Sequence, residues 1–226
     1  MELTTNLLVM MGDTHGDWGA ALDAIERNHI RDAIILHVGD VGIGFFPKDV
    51  QEEILDSLND ELAKRNVRMF CIRGNHDDPQ YFTGEYAYSH ISLLKDYTHL
   101  QINGEEFLFV GGAISIDRIM RTPHKSWWPD EGLVYDPDRV TQCDVLVTHT
   151  APIWVGPNDK NGIAYYTEHD ATLWDECVAE RLSMNALVLN CGAKRHYCGH
   201  FHMSVTAENN DCRSTILNIN ELLEHR

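Results

Sequence analysis

Five times along this chain a short apolar run stops and is followed at once by aspartate, asparagine or histidine. NLLVMM runs into GDTHGD (Gly12 to Asp17), AIILHV into Gly39-Asp40, VRMFCI into RGNHDD (Arg73 to Asp78), DVLV into THTAP (Thr148 to Pro152), and RHYC into GHFH (Gly199 to His202). Runs of this length bounded by turn residues read as buried strands. Amphipathic segments separate the first three. WGAALDAIERN places Trp18, Leu22 and Ile25 on one helical face, and Asp49 with Glu52 forms a capping-box start for a helix through Ile54, Leu55, Leu58 and Leu62. Strands alternating with helices predict βαβ units and a mostly parallel sheet.

The second half is richer in strands. EEFLFVGG and CDVLVTH read as strands, Thr172 with Asp175 opens a helix ending near Gly192, and RHYCGH, SVTAE and STILNI alternate like an antiparallel edge or a second sheet. Two stretches, Ile114 to Val140 and Ala151 to Asp170, show neither period. Loops that long are usually functional or disordered. Trp127, Trp128, Tyr165 and Tyr166 favour ordered loops rimming a site.

Length and composition suit one soluble domain over residues 1–226, with 43% apolar and 23% charged residues. No apolar run reaches membrane-spanning length, and MELTTNLLVMMGD lacks the basic flank and apolar core of a signal peptide, so a cytoplasmic location is expected, in a cell or a virus-infected host. The formal charge of -17 argues against a basic face for double-stranded nucleic acid. It leaves a phosphate-bearing substrate open, because a few bound cations reverse the local field. Six scattered cysteines without a CxxC pair read as reduced core thiols. Thirteen histidines exceed what packing needs, so some are expected to be ligands or acid–base groups.

In an open α/β sheet the carboxyl ends of the strands form the ligand crevice. Five loops there would bring Asp13, His15, Asp40, Asn75, His76, His149, His200 and His202 into one space. Singly, each motif has a plain alternative: Asp-x-His and Asn-His as turn chemistry, Gly-Asp as a helix cap, a lone histidine as a structural one. Their joint placement at strand ends points to a metal site. Carboxylate, imidazole and amide oxygen without thiolate suit manganese, iron or zinc. That many such ligands are too many for one ion but natural for two, about 3.5–4 Å apart and sharing a carboxylate.

In this order the motifs DTH, GD, GNHD, H and GHFH resemble the pattern of the calcineurin-like metallophosphoesterase superfamily, from Asp13 to His202. The resemblance implies a four-layer α/β/β/α sandwich of two mixed β-sheets flanked by helices, with a di-metal site at the C-terminal ends of the strands. Asp13, His15 and His202 would hold one ion, Asn75, His149 and His200 the other, and Asp40 would bridge them. His76 would be the non-ligand histidine near the leaving group. The implied activity is hydrolysis of a phosphomonoester or phosphodiester on a nucleotide, small molecule or phosphoprotein. Protein Ser/Thr phosphatases of the superfamily carry GDxVDRG, whose second aspartate orients the catalytic histidine and whose arginine binds phosphate. Here GDVGIGF places Ile43 and Gly44 at those positions. Asp77 and Asp17 are then candidates to orient His76, and each can equally cap a helix.

GGAISIDRIMRTPHKSWWPDEG (Gly111 to Gly132) resembles a segment of small phage and bacterial members. Its Arg118, Arg121, His124 and Lys125 could grip phosphate, as could Arg73, or could be surface charges and ion pairs. Trp127 and Trp128 could stack on a ring or pack the loop down. His37 and His196 read as core or supporting residues, and His90, His99, His169 and His225 as surface histidines. A di-metal phosphoesterase is the leading expectation. Protein phosphatase activity, a non-catalytic metal-binding scaffold and a nuclease are the alternatives.

Overall fold

Side chains along the central strands alternate between two apolar layers, and this alternation sets the architecture. The computed structural model describes residues 2–86 and 88–226. A five-stranded sheet has the order β12 (Leu222–Glu224), β2 (Leu8–Met11), β3 (Ala33–His37), β4 (Val67–Cys71), β5 (Ile91–Leu93); only β12 runs antiparallel to its neighbour. Val9, Met11, Ile35 and Met69 turn outward onto Ile25 of α1 (Trp18–Arg27) and Leu55, Leu58 and Leu62 of α2 (Lys48–Ala63). Leu8, Met10, Ile34, Leu36 and Phe70 turn the other way, onto a second sheet.

That sheet has seven strands in the order β1 (Glu2–Leu3), β6 (Thr98–Ile102), β7 (Glu105–Val110), β8 (Val145–Thr148), β9 (Arg195–Cys198), β11 (Cys212–Ile216), β10 (Val205–Asn209). β7, β8, β9 and β11 are parallel, with antiparallel β6 and β10 flanking them. Phe107, Phe109, Val145 and Val147 meet the first sheet. Leu108, Val110 and Leu146 face Met184, Leu187, Val188 and Cys191 of α4 (Leu173–Cys191). The result is an α/β fold of two mixed sheets flanked by helices, as expected.

One local expectation differs, and others gain detail. Lys48 opens α2 after Pro47, and no side chain caps it, so Asp49 lies inside the first turn and the capping box does not form. Asp49 still places negative charge at the positive end of the helix dipole. Thr172 precedes α4 without a side-chain cap bond, whereas Gly192 ends it at φ 69°, in the left-handed conformation glycine tolerates. Four short edge or hairpin strands, β1, β5, β6 and β12, carry too few residues or too mixed a pattern to be read from periodicity. The unpatterned segment 151–170 contains the short helix α3 (Ala164–His169). Among the described residues all six cysteines are unpaired, and five are buried. Among the described residues no helix is long and apolar enough to cross a membrane.

Candidate metal centre and active-site cleft

The loops leaving β2, β3, β4, β8 and β9 meet at one rim, and their backbones are contorted to do so. His15, Asp40, His200 and His202 have φ of 49°, 53°, 68° and 50°. Positive φ is uncommon for non-glycine residues and concentrates at functional sites. The motif glycines have a steric reason. A Cβ on Gly74 would lie 2.1 Å from Asp40 Oδ1, and one on Gly199 would lie 2.0 Å from Asp13 Oδ1. Each loop is therefore flattened where a carboxylate from another loop passes.

Asp13, His15, Asp40 and His202 form a first cluster, with one donor atom of each within 4.8 Å of the others. His202 Nε2 is 2.9 Å from His15 Nε2 and 3.2 Å from Asp13 Oδ2, and His15 Nδ1 is 3.7 Å from Asp40 Oδ2. Contact with Asp13 raises the His202 imidazole above its ordinary value. Burial lowers His15, against the Asp40 and Asp13 carboxylates.

A second group adjoins it. His149 Nε2 is 3.1 Å from Asp40 Oδ1 and 3.1 Å from Asn75 Oδ1, and His200 Nδ1 is 2.8 Å from Asn75 Oδ1. His149 Nδ1 lies 2.8 Å from the carbonyl of Val38, which can only accept, so Nδ1 carries the hydrogen and Nε2 faces the two oxygens. Two oxygens aimed at one imidazole nitrogen are stabilised by positive charge between them, whether a proton or a metal ion. Burial opposes charge on His149, but Asp40 outweighs it and pushes the imidazole up to about 10. Burial likewise would raise Asp40, yet His149 holds that carboxyl well below its ordinary value. Burial drives His200 well below its own. The donors of both groups are carboxylate and amide oxygens and imidazole nitrogens, a set that fits divalent manganese, iron or zinc.

The Asn75 amide is oriented from behind. Its Nδ2 donates to Ser115 Oγ at 3.0 Å, leaving Oδ1 toward the histidines. Ser115 in turn donates through Oγ to Glu131 Oε2 at 2.9 Å and through its N–H to Oε1 at 2.6 Å. Burial pushes the Glu131 carboxyl up to about 7.

Both groups open into a cleft of about 510 Å³ that His76 and Arg121 also line. His76 is not among the closely approaching donors. Its ring stands edge-on to His15, centroids 4.6 Å apart, and burial lowers it to about 4.

Over residues 7–204 the sequence matches the family model of the calcineurin-like phosphoesterases. The chain belongs to that family. Among solved structures it resembles the phosphopantetheinyl hydrolase of Mycobacterium tuberculosis, at 14% identity over 96% of this chain and 90% of that one, with a TM-score of 0.50. It also resembles a novel archaeal phosphodiesterase, at 12% identity over 96% and 98% of the two chains, with a TM-score of 0.41. GAP50, the anchor in the inner membrane complex of Plasmodium, aligns at 14% identity over 93% and 70%, with a TM-score of 0.48. No curated protein matches the sequence significantly. At such identities the structural matches speak to fold alone.

The three arginines proposed for phosphate separate in the structure. Arg73 is buried and spent: it pairs with Asp96 Oδ2 at 2.8 Å and donates to the carbonyls of Glu131 and Gly132 at 2.6 and 3.0 Å. It ties the β4 loop to the 111–132 segment and does not line the cleft. Arg118 is likewise taken up, by Asp170 and Glu176, both at 2.6 Å. Arg121 does face the cleft, its Nη2 2.6 Å from His76 Nε2 and its Nε 2.7 Å from Asp117 Oδ1.

Neither aspartate suggested for orienting His76 touches its ring. Asp17 caps α1, accepting from Ala20 N–H at 3.0 Å. Asp77 accepts from the N–H groups of Val41, Gly42, Ile43 and Gly74, at 2.7–3.1 Å, and so clasps the GD loop to the GNH loop. Ile43 is fully buried in the α1/α2 core. Trp128 is packed away, 2% exposed, with its ring edge-on to Phe45. His225, expected at the surface, is enclosed between Glu105 and Tyr197, at 2.8 and 3.1 Å.

Sequence reasoning missed Ser115, Glu131, Asp117 and Arg181. The last is buried and donates to the carbonyls of Ala151, Pro152, Val155 and Pro157, holding the loop that follows His149. Ser115 and Asp117 lie in the segment already marked as unusual, but spacing gives no sign of which carbonyl or amide a side chain will meet.

Proposed function

We propose that this protein hydrolyses phosphate esters at a centre of two metal ions, with residues 1–226 working as one catalytic domain. The observation that carries the reading is the attitude of Asp40: Oδ2 turns toward His15 at 3.7 Å while Oδ1 turns toward His149 at 3.1 Å. One carboxylate thus serves both donor groups. Asp13, His15 and His202 would hold the first ion and Asn75, His149 and His200 the second, with Asp40 between them. Manganese is the expected ion, and iron or zinc would fit the same donors. When bound, such a pair generates a hydroxide near neutral pH and neutralises phosphoryl oxygens.

The chain's own contributions are positional. The Val38 carbonyl fixes the His149 tautomer and Ser115 fixes the Asn75 amide, so the donors are set before any ion arrives. His76 stands at the cleft wall as a neutral imidazole whose Nε2 accepts from Arg121, placed to stabilise the transition state. Arg121, steadied by Asp117, supplies the cation beside it for the phosphoryl group. Free, buried thiols suit a reducing cytoplasm.

The test is release of p-nitrophenol from p-nitrophenyl phosphate and its bis ester, and of phosphate from a phosphopeptide, with manganese added. Hydrolysis of either nitrophenyl ester that disappears in Asp40→Asn is the expected result. Fully metal-loaded protein inert toward all three would refute the enzyme reading and leave a metal-binding scaffold.

A further inference from the structure

The end of the cleft away from the metal donors is apolar, and the helix that builds it is informative. In the C-terminal half of α4, Met184, Leu187 and Cys191 pack on the seven-stranded sheet. Cys177 lies on the same line, one heptad before Met184, and with Trp174 and Val178 it forms the first two turns of that stripe. There the stripe meets no sheet and lines the cleft instead, facing Ile163, Tyr166 and Ile116. Among the described residues, none of these six joins the four apolar cores. All six are half-buried, with their apolar surface turned to the same space as His76 and Asp40.

The charged groups at this end are already engaged. Asp159 accepts from Asn161 N–H at 2.9 Å, Glu180 accepts from Leu133 and Ile114 N–H at 2.9 and 3.2 Å, and the Arg181 guanidinium is consumed by four carbonyls. Among the described residues, Asn158 at the exposed rim, Thr150 Oγ1, the Tyr166 hydroxyl and the Trp174 indole N–H have no hydrogen-bond partner within the protein. The cleft volume, about 510 Å³, is that of a small-molecule site.

Building on the phosphoesterase reading, we infer that the substrate is a phosphate ester whose leaving group carries a compact apolar body, aromatic or branched aliphatic. That body would sit between Trp174 and Tyr166 while the phosphorus lies at the metal donors. A sugar or a phosphopeptide would bury more hydrogen-bonding groups there than these few polar atoms can partner. The net charge of -17 further disfavours a polyanion.

The experiment compares manganese-loaded protein on ethyl phosphate, 2-phenylethyl phosphate, glycerol 3-phosphate and a nucleoside 5′-phosphate by phosphate release. All four leave as primary alkoxides, so the comparison reads mainly binding of the leaving group. The expected kcat/KM for 2-phenylethyl over ethyl phosphate is tenfold or more, since each methylene in an apolar pocket contributes roughly tenfold. That ratio should fall to within about threefold in Trp174→Ala and in Tyr166→Ala. Because the ratio is taken on one protein, a general loss of folding or metal cancels. A wild-type ratio near one, a ratio unmoved by both substitutions, or a preference for glycerol or nucleoside phosphate would each overturn the inference while leaving the phosphoesterase intact. If no ester is hydrolysed, calorimetric binding of 3-phenylpropylphosphonate against ethylphosphonate reads the apolar end independently. A tenfold preference sustains the apolar site, and equal affinity overturns it.

Discussion

His76 and Asn75 leave the same turn in different directions, so neighbouring residues can be assigned separate tasks and tested separately. His76→Gln removes the group beside the leaving alkoxide but keeps the backbone N–H that donates to Asp40 Oδ1 at 2.7 Å. Turnover is expected to fall about 10²–10³-fold, the usual worth of a group that stabilises transition-state charge, with two metal equivalents still bound by elemental analysis. Unchanged turnover would take His76 out of the mechanism. Gly199→Ala should do the reverse. Its Cβ would fall 2.0 Å from Asp13 Oδ1, so the carboxylate or the loop must move. Weakened metal binding in a titration, with a loss of about 1–3 kcal/mol in denaturant unfolding, is the expected outcome, and a variant with native affinity would contradict the crowding.

At the scale of elements, two loops are held by single side chains. Ser115 links Asn75 to Glu131, so Ser115→Ala leaves the Asn75 amide and a buried carboxyl each short of a partner. Loss of such a supporting contact typically costs 10–100-fold in metal affinity. A competition titration should show this for one of two metal equivalents and leave the other unaffected. Arg181 spans from α4 to the loop after His149, and Arg181→Met would strand four carbonyls. Faster amide exchange confined to residues 151–157 is expected, with a stability loss of roughly 2–4 kcal/mol; uniform exchange across the chain would show that the arginine supports the whole fold instead.

For the molecule as a whole, buried neutral histidines set the acid limit. His196 is enclosed between Thr148 Oγ1 at 2.7 Å and Ser214 Oγ at 2.9 Å. Thr148 already donates to the Thr150 carbonyl, so His196 donates to Thr148 and accepts from Ser214 as a neutral ring. Burial lowers it, and His37, from 6.5 to about 3. Between those values the unfolded chain binds more protons than the folded one. The share of stability that rests on these two rings is therefore complete above pH 6.5 and declines as pH falls toward 3, by about 2 kcal/mol per histidine at pH 5. Chemical denaturation at pH 7 and pH 5 measures this, and His196→Asn should flatten the slope. Glu131, raised to about 7, contributes the opposite sign between its ordinary range and that value.

The sequence by itself determined the layers and the rim. Strand runs such as NLLVMM and AIILHV can bury two faces only between helices and a second sheet, and motif residues at their carboxyl ends have one edge to occupy. Hence the fold class and the meeting of Asp13, Asp40, Asn75 and the late histidines were legible from residue order. What only the tertiary structure decided is which partner each long polar side chain takes. Arg73, Arg118 and Arg121 look alike in sequence, yet two are tied down outside the cleft by Asp96, Asp170 and Glu176, and one, paired with Asp117, lines the cleft and reaches His76. The apolar wall at Trp174 was hidden for a related reason: the same stripe of α4 packs on strands at one end and overhangs the cleft at the other. Periodicity reports that a face is apolar, but what lies opposite that face depends on where the neighbouring strands stop.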